Sequence, residues 1–303
     1  MTTISEIRQC LTVQLGANLK QQGAATVPST VNEFLRATTS LGDLDHYKHF
    51  PPDCYRLVAA SGGEQAQRLF LESVLLQGMS QTIDSSRFTA LPPRTRNHQC
   101  AQFNRILRRE NPLPSWLDME SDLFHKEFGL AALRLHAGAA QVIDPRCGVP
   151  KSIVLKSGLP GLAQGIRVAV ECRGLKPMLQ IHTHTAYLDE FNDEGWRECY
   201  RVCVELYGLY PRIKGMFGGS WFYDPVIQQI SPRLSYLSSV PRQGGARFLR
   251  VATEGDFVQD AIATSPSRRK LYDEGRYRPI SYMMIWGRSA QTSWVRTTDS
   301  PEA

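Results

Sequence analysis

Seven cysteines are spread along the chain, and no two of them form a CxxC pair. An odd set with that spacing argues against a disulfide framework and against a thiolate zinc site, and it suits a reducing compartment. No apolar run approaches the length of a membrane span, and the opening MTTISEIRQCLTVQLGANLKQQ lacks a basic segment followed by an apolar core. Neither membrane insertion nor export is expected, so a cytoplasmic protein is. There is no GxSxG around Ser220, which leaves that serine without the setting of a nucleophile elbow. Internal repeats and low-complexity tracts are absent too. Charge of one sign is in short supply: the net charge is only +6, and the cations are interleaved with acids such as Glu127, Asp144, Glu171 and Asp189. That pattern argues against nucleic acid and leaves a small molecule as the expected partner.

What is present is an ordinary globular composition. In 303 residues, 42% hydrophobic, there is enough apolar material for one large domain or two modest ones. Residues 1 to 137 read as helix-rich. Ile4, Ile7, Leu11 and Leu15 form a stripe ended by Gly23, a second helix runs from Val31 to about Thr39, and a third from Glu64 to about Gln77. The segment LPPRTRNHQC reads as a polar loop before a helix over 101–109. Asp122 to Leu135 is an amphipathic helix with Ser121 or Asp122 at its cap.

After Gly138 the period changes. AAQVIDP, KSIVLKS, GIRVAVECRG and KPMLQIHTHT are short Val/Ile-rich runs separated by Pro and Gly, which predicts successive strands. A helix from Asp193 to about Tyr207, capped by Asn192 or Asp193, follows. Strands are then expected over Arg212–Trp221, Ala246–Ala252 and Ile280–Trp286, with a helix opening at Ser265-Pro266 and closing at Gly275. The fold class is therefore α/β in the α+β sense. A helix-rich first half precedes a mixed, largely antiparallel sheet with packed helices over 138–296, and a disordered tail over 297–303.

Three stretches carry chemistry. His182 and His184 alternate on a strand and so share a face, and Asp189, Glu190, Asp193 and Glu194 follow. Two histidines and a carboxylate such as Asp189 are ligand types for Zn, Fe or Mn, with His125 or His136 as a third histidine. The alternative is a pair of hydrogen-bonded or substrate-facing imidazoles. In GGSWFYDP the glycines permit a close approach, and Trp221 and Tyr223 either wall a pocket or fill core positions. The helix opening at Ser265 carries Arg268, Arg269 and Lys270 where the dipole is positive. This suits a phosphate or carboxylate, or else places long side chains in water. The run from Arg94 to Arg109 is the most basic stretch and the best feature of a third reading, a noncatalytic binding or scaffold protein.

From about Gly165 to Trp286, the order hairpin, helix, strand, helix, strand resembles the C-terminal half of the GNAT acyltransferase superfamily. Within it, SPSRRKLYDEGRYRP ending in ISYMMIW looks like that family's late helix and following strand. The resemblance implies an acyl-CoA cofactor and acyl transfer to an amine. It also implies Tyr272 as the acid that protonates the departing thiolate, His182 or Glu190 as the base, and Arg268 and Arg269 holding an anionic donor or substrate. One departure stands out: where the family has a Q/R-x-x-G-x-G/A phosphate loop, this chain has AYLDEFND, whose carboxylates repel phosphates. The enzyme alternative uses a divalent metal held by His182, His184 and a nearby carboxylate.

Overall fold

A computed structural model describes residues 3–22, 27–39, 46–108, 114–156 and 158–299. Two compact units are formed, one from Met1–Arg146 with Thr183–Leu188, the other from Cys147–His182 with Asp189–Ala303. The division expected near Gly138 falls inside a hairpin of the first unit.

The first unit is built from α1 (Ile4–Gln22), α2 (Val27–Thr39), α3 (Pro52–Ala60), α4 (Glu64–Ile83), α5 (Ser86–Thr89), α6 (Pro93–Leu107) and α7 (Asp122–Ala131), followed by β1 (His136–Gly138) and β2 (Gln141–Cys147). α4 is central, with Leu69, Phe70, Val74, Leu75, Leu76 and Met79 buried. α7 starts at its Ser121 cap, whose hydroxyl accepts from the Phe124 N–H. The expected loop LPPRTRNHQC is instead the start of α6. Pro93 stands at the first helical position, where a missing N–H is harmless, and the buried face of this helix includes polar Thr95, Gln99 and Gln102. Gln99 is satisfied there: its amide donates to the Leu130 carbonyl at 2.9 Å and its oxygen accepts from the Ala137 N–H at 3.1 Å. A polar buried face hides a helix from an apolar-period search. Arg109, the end of the basic run, lies outside the described residues.

In the second unit, α8 (Lys151–Lys156) and α9 (Gly158–Glu171) replace two expected strands. Ile166, Val168 and Val170 alternate like a strand, yet Ile166 is 56% and Val170 72% exposed, while Gly165, Val168 and Cys172 are buried. The buried positions recur every three to four residues, and that period is helical. The rest of the unit comprises β3 (Met178–Thr183), α10 (Asp193–Leu209), β4 (Gly215–Ser220), α11 (Ile227–Ile230), α12 (Tyr236–Gln243), β5 (Arg247–Ala252), α13 (Phe257–Ala263), α14 (Pro266–Asp273), β6 (Ser281–Gly287) and α15 (Arg288–Asp299).

Its strands lie in the order β3-β4-β6-β5. The β3/β4 pair is parallel, joined through α10, and the β4/β6 and β6/β5 pairs are antiparallel, so the sheet is mixed and largely antiparallel as expected. Phe217, Leu249, Met283 and Ile285 pack with Val168 of α9 and with Cys172 just after it. Met216, the neighbour of Phe217, meets Gln291 of α15, and Trp286 packs against Tyr200 and Trp294. Strand alternation thus supplies two cores. Thr297 and Thr298, assigned to a disordered tail, close α15 by donating to the Trp294 carbonyl. Residues 300–303 lie outside the described residues. No helix among the described residues is long and apolar enough to cross a membrane.

Candidate functional site

The site grows from two connections in the second unit. At the end of β4, a Cβ on Gly218 would come within 2.6 Å of Ile181 Cγ1, so the close approach that needs glycine is to β3. Ser220 then starts a short 3-10 turn, Trp221–Tyr223. Tyr223 belongs to the core: it is 1% exposed and packs edge-on against Phe222 and Phe248. Asp224 is also buried, and its carboxylate accepts from the N–H groups of Val226 and Ile280, so it holds the turn. Burial pushes its carboxyl above the ordinary range. Trp221 faces the other way and joins the cluster of Ile227, Ala261, Ile262 and Tyr277, against which Tyr272 also packs.

α14 supplies the cation. Ser265 caps it, accepting from the Arg268 N–H at 3.4 Å, and Pro266 opens the first turn. Arg268, Arg269 and Lys270 look alike in sequence, but the helix separates them: Arg268 is 3% exposed, while Arg269 and Lys270 are exposed. The Arg268 guanidinium donates from Nε to the Ala261 carbonyl at 2.5 Å and from Nη1 to Ser231 Oγ at 3.1 Å, and lies 4.6 Å from the Trp221 ring centroid. Among the described residues no carboxylate pairs with it. Burial lowers its pKa and Arg233 adds to that lowering, while Tyr277 opposes it. The Tyr277 hydroxyl is buried with no hydrogen-bond partner among the described residues.

Beside this arginine a pocket of about 400 Å³ is lined by Ser231, Arg233, Thr264, Ser265 and Ser267, among others. Ser231 both lines the pocket and receives the Arg268 hydrogen bond. Hydroxyls, the positive end of a helix and the exposed Arg233 guanidinium line the pocket, and Ser231 connects it to the buried Arg268 guanidinium, a set suited to a carboxylate or a phosphate. Ser231 and Arg233 were not singled out by sequence reasoning. The available signal was the repeated Ser-Pro start, at 231–232 and again at 265–266.

The other expected residues do not assemble around this pocket. At the start of α10, Asn192 caps the helix by accepting from the Gly195 N–H at 2.9 Å, and a Cβ on Gly195 would lie 2.0 Å from the Glu190 carbonyl oxygen. The chain's own atoms therefore fill that helix start. Asp189 and Glu190 are exposed on the turn before it.

His182 lies half-buried near the end of β3. In the first unit, His184 is buried 3.8 Å from Glu127, whose carboxylate is held by both 2.7 Å contacts of Arg105 Nη2. Burial, with Arg105 and Lys126 adding to it, pushes the His184 imidazole down to about 3. Those flanking cations oppose a metal ion. His125 Nε2 is engaged with the Met119 carbonyl at 2.6 Å, and His136 is buried and pushed down to about 3 by that burial. Among the described residues no group of three His, Cys, Asp or Glu side chains is arranged to hold a metal.

No protein-family model matches the chain, and comparison with curated proteins and with solved structures finds no match.

Proposed function

We propose that this chain recognises a small metabolite through a terminal carboxylate or phosphate bound at the start of α14. One observation carries the reading: Arg268 is a buried guanidinium with no carboxylate partner among the described residues, set beside an open polar pocket. A buried cation without a counter-ion is unfavourable. An anion in the pocket supplies the missing charge, while Arg233, Ser265 and Ser267 provide further donors at the mouth. Arg269, exposed on the next position, takes no part.

Acyl transfer is the second reading, supported by Tyr272 packing on the same cluster as Trp221, one helical turn after Arg268. In this version Tyr272 donates a proton to the leaving group and the pocket holds the anionic end of donor or substrate.

The test is calorimetric titration with orthophosphate, acetate, small dicarboxylates and acetyl-CoA. Binding of a monoanion that weakens at least about tenfold in Arg268→Met and persists in Arg269→Met supports the site. A ligand at about 100 times its dissociation constant should also add about 2.7 kcal/mol of stability. If no anion binds, or if Arg268→Met titrates like wild type, the reading fails. Turnover of an acyl-CoA that survives Tyr272→Phe unchanged removes the acyl-transfer version.

A further inference from the structure

A second, larger cleft lies elsewhere in the same unit, and it concentrates charge that the sequence scatters. Its volume is about 900 Å³, and its walls carry Arg173, Lys214, Arg288 and Arg296. These four cations come from the turn just after α9, the connection before β4, the first position of α15 and the third turn of that helix. The acid on its wall is Glu171, whose carboxylate already accepts from Arg167 at 2.8 Å and from Arg247 at 3.2 Å. Its charge is therefore matched from outside the cleft.

Part of the cleft is held rigid. Arg288 donates its backbone N–H to the Lys214 carbonyl at 2.9 Å and Nη1 to the Pro211 carbonyl at 2.8 Å, and its guanidinium lies 5.2 Å from the Tyr207 ring centroid. Arg173 sits at φ +54 just after α9, in the left-handed region where a helix end usually has glycine. Arg173 and Lys214 make no ion pair with any described residue. Ser289 and Thr292, in the first turns of α15, line the same cleft and add hydroxyl donors.

From this arrangement we infer that the cleft binds a small molecule carrying two or more linked phosphates, such as a nucleoside di- or triphosphate. Arg173 and Lys214, with the fixed fork of Arg288 on the same wall, offer more positive charge than one monoanion uses, whereas a di- or triphosphate spans several of them. The volume falls within the roughly 300–1,000 Å³ of ordinary small-molecule sites. This site is separate from the one at α14 and does not depend on it.

Isothermal titration of the full chain at about 0.15 M salt tests this with orthophosphate, inorganic tripolyphosphate, AMP, ADP and ATP. Affinity should rise about tenfold or more from orthophosphate to tripolyphosphate, and from AMP to ATP. ATP binding more tightly than tripolyphosphate identifies a nucleotide, and equal affinity identifies the phosphate chain alone. Arg173 is exposed and Lys214 half-buried, and the double variant Arg173→Ser/Lys214→Ser should lose about tenfold in tripolyphosphate affinity with an unchanged circular dichroism spectrum and unfolding midpoint. Arg288→Lys, which keeps the charge and loses the fixed fork, should lose less.

Orthophosphate binding as tightly as tripolyphosphate overturns the inference, as does wild-type affinity in the double variant. Loss of tripolyphosphate binding in Arg268→Met moves the ligand to α14 and overturns it as well. So does a short single-stranded oligonucleotide that binds more tightly than any nucleotide, because it makes the cleft a nucleic-acid surface.

Discussion

The starts of α10 and α14 are built from the same parts and end with opposite electrostatics. Each has a side-chain cap, Asn192 or Ser265, at the positive end of a helix dipole. In α10 the first turn carries Asp193 and Glu194, and the Glu190 carbonyl closes over Gly195. In α14 the first turn has no acid, a buried guanidinium stands behind it, and a pocket opens beside it. A helix start becomes a credible anion site only where the chain has not already filled it with its own carbonyls and carboxylates.

That contrast can be broken most strongly at Arg268. Arg268→Met should weaken anion binding about tenfold or more, and the Ser231 and Ala261 groups left unpaired should cost about 1–3 kcal/mol of stability in urea unfolding. At the closed start, Gly195→Ala should cost about 1–3 kcal/mol, because its Cβ meets a backbone oxygen that cannot swing away, and it should create no anion affinity.

A third test sets Arg268 against the buried base of the first unit, His184, which is kept neutral. Its folded pKa of about 3 lies below the ordinary 6.5, so below pH 6.5 the unfolded chain binds the proton and the native one does not. Stability is full above that pH and falls by about 1.4 kcal/mol per pH unit for this group as pH drops toward 3. His136 acts in the same direction. Unfolding midpoints at pH 7 and pH 5 should therefore differ, and His184→Gln should reduce the difference. Smallest is Ser265→Ala, expected to cost about 1 kcal/mol through the lost cap and a few-fold in anion affinity.

Elements were legible where a cap, an apolar period and a stop agreed. α7, α10 and α14 begin where Ser121, Asn192 and Ser265 indicate. α6 was hidden because its buried face contains glutamine and threonine, and α9 because Ile166, Val168 and Val170 imitate a strand while only Val168 is buried. Half of the candidate site was readable as well: Ser265 and Arg268 follow from capping and dipole arguments. Ser231 and Arg233, more than thirty residues earlier, do not.

Composition, caps and periodicity by themselves determined that this is a mixed α+β chain with a helix-rich first half, and that a capped helix beginning at Pro266 brings cations to its positive end. These are local properties, set by hydrogen bonding and side-chain spacing within about one or two turns. Only the tertiary structure decided which of three adjacent cations is buried, and that Trp221 covers it. It also decided that Arg173, Lys214, Arg288 and Arg296 share one cleft. Those outcomes depend on which faces the sheet and helices bury, a property of the packed core that no single stretch of sequence contains.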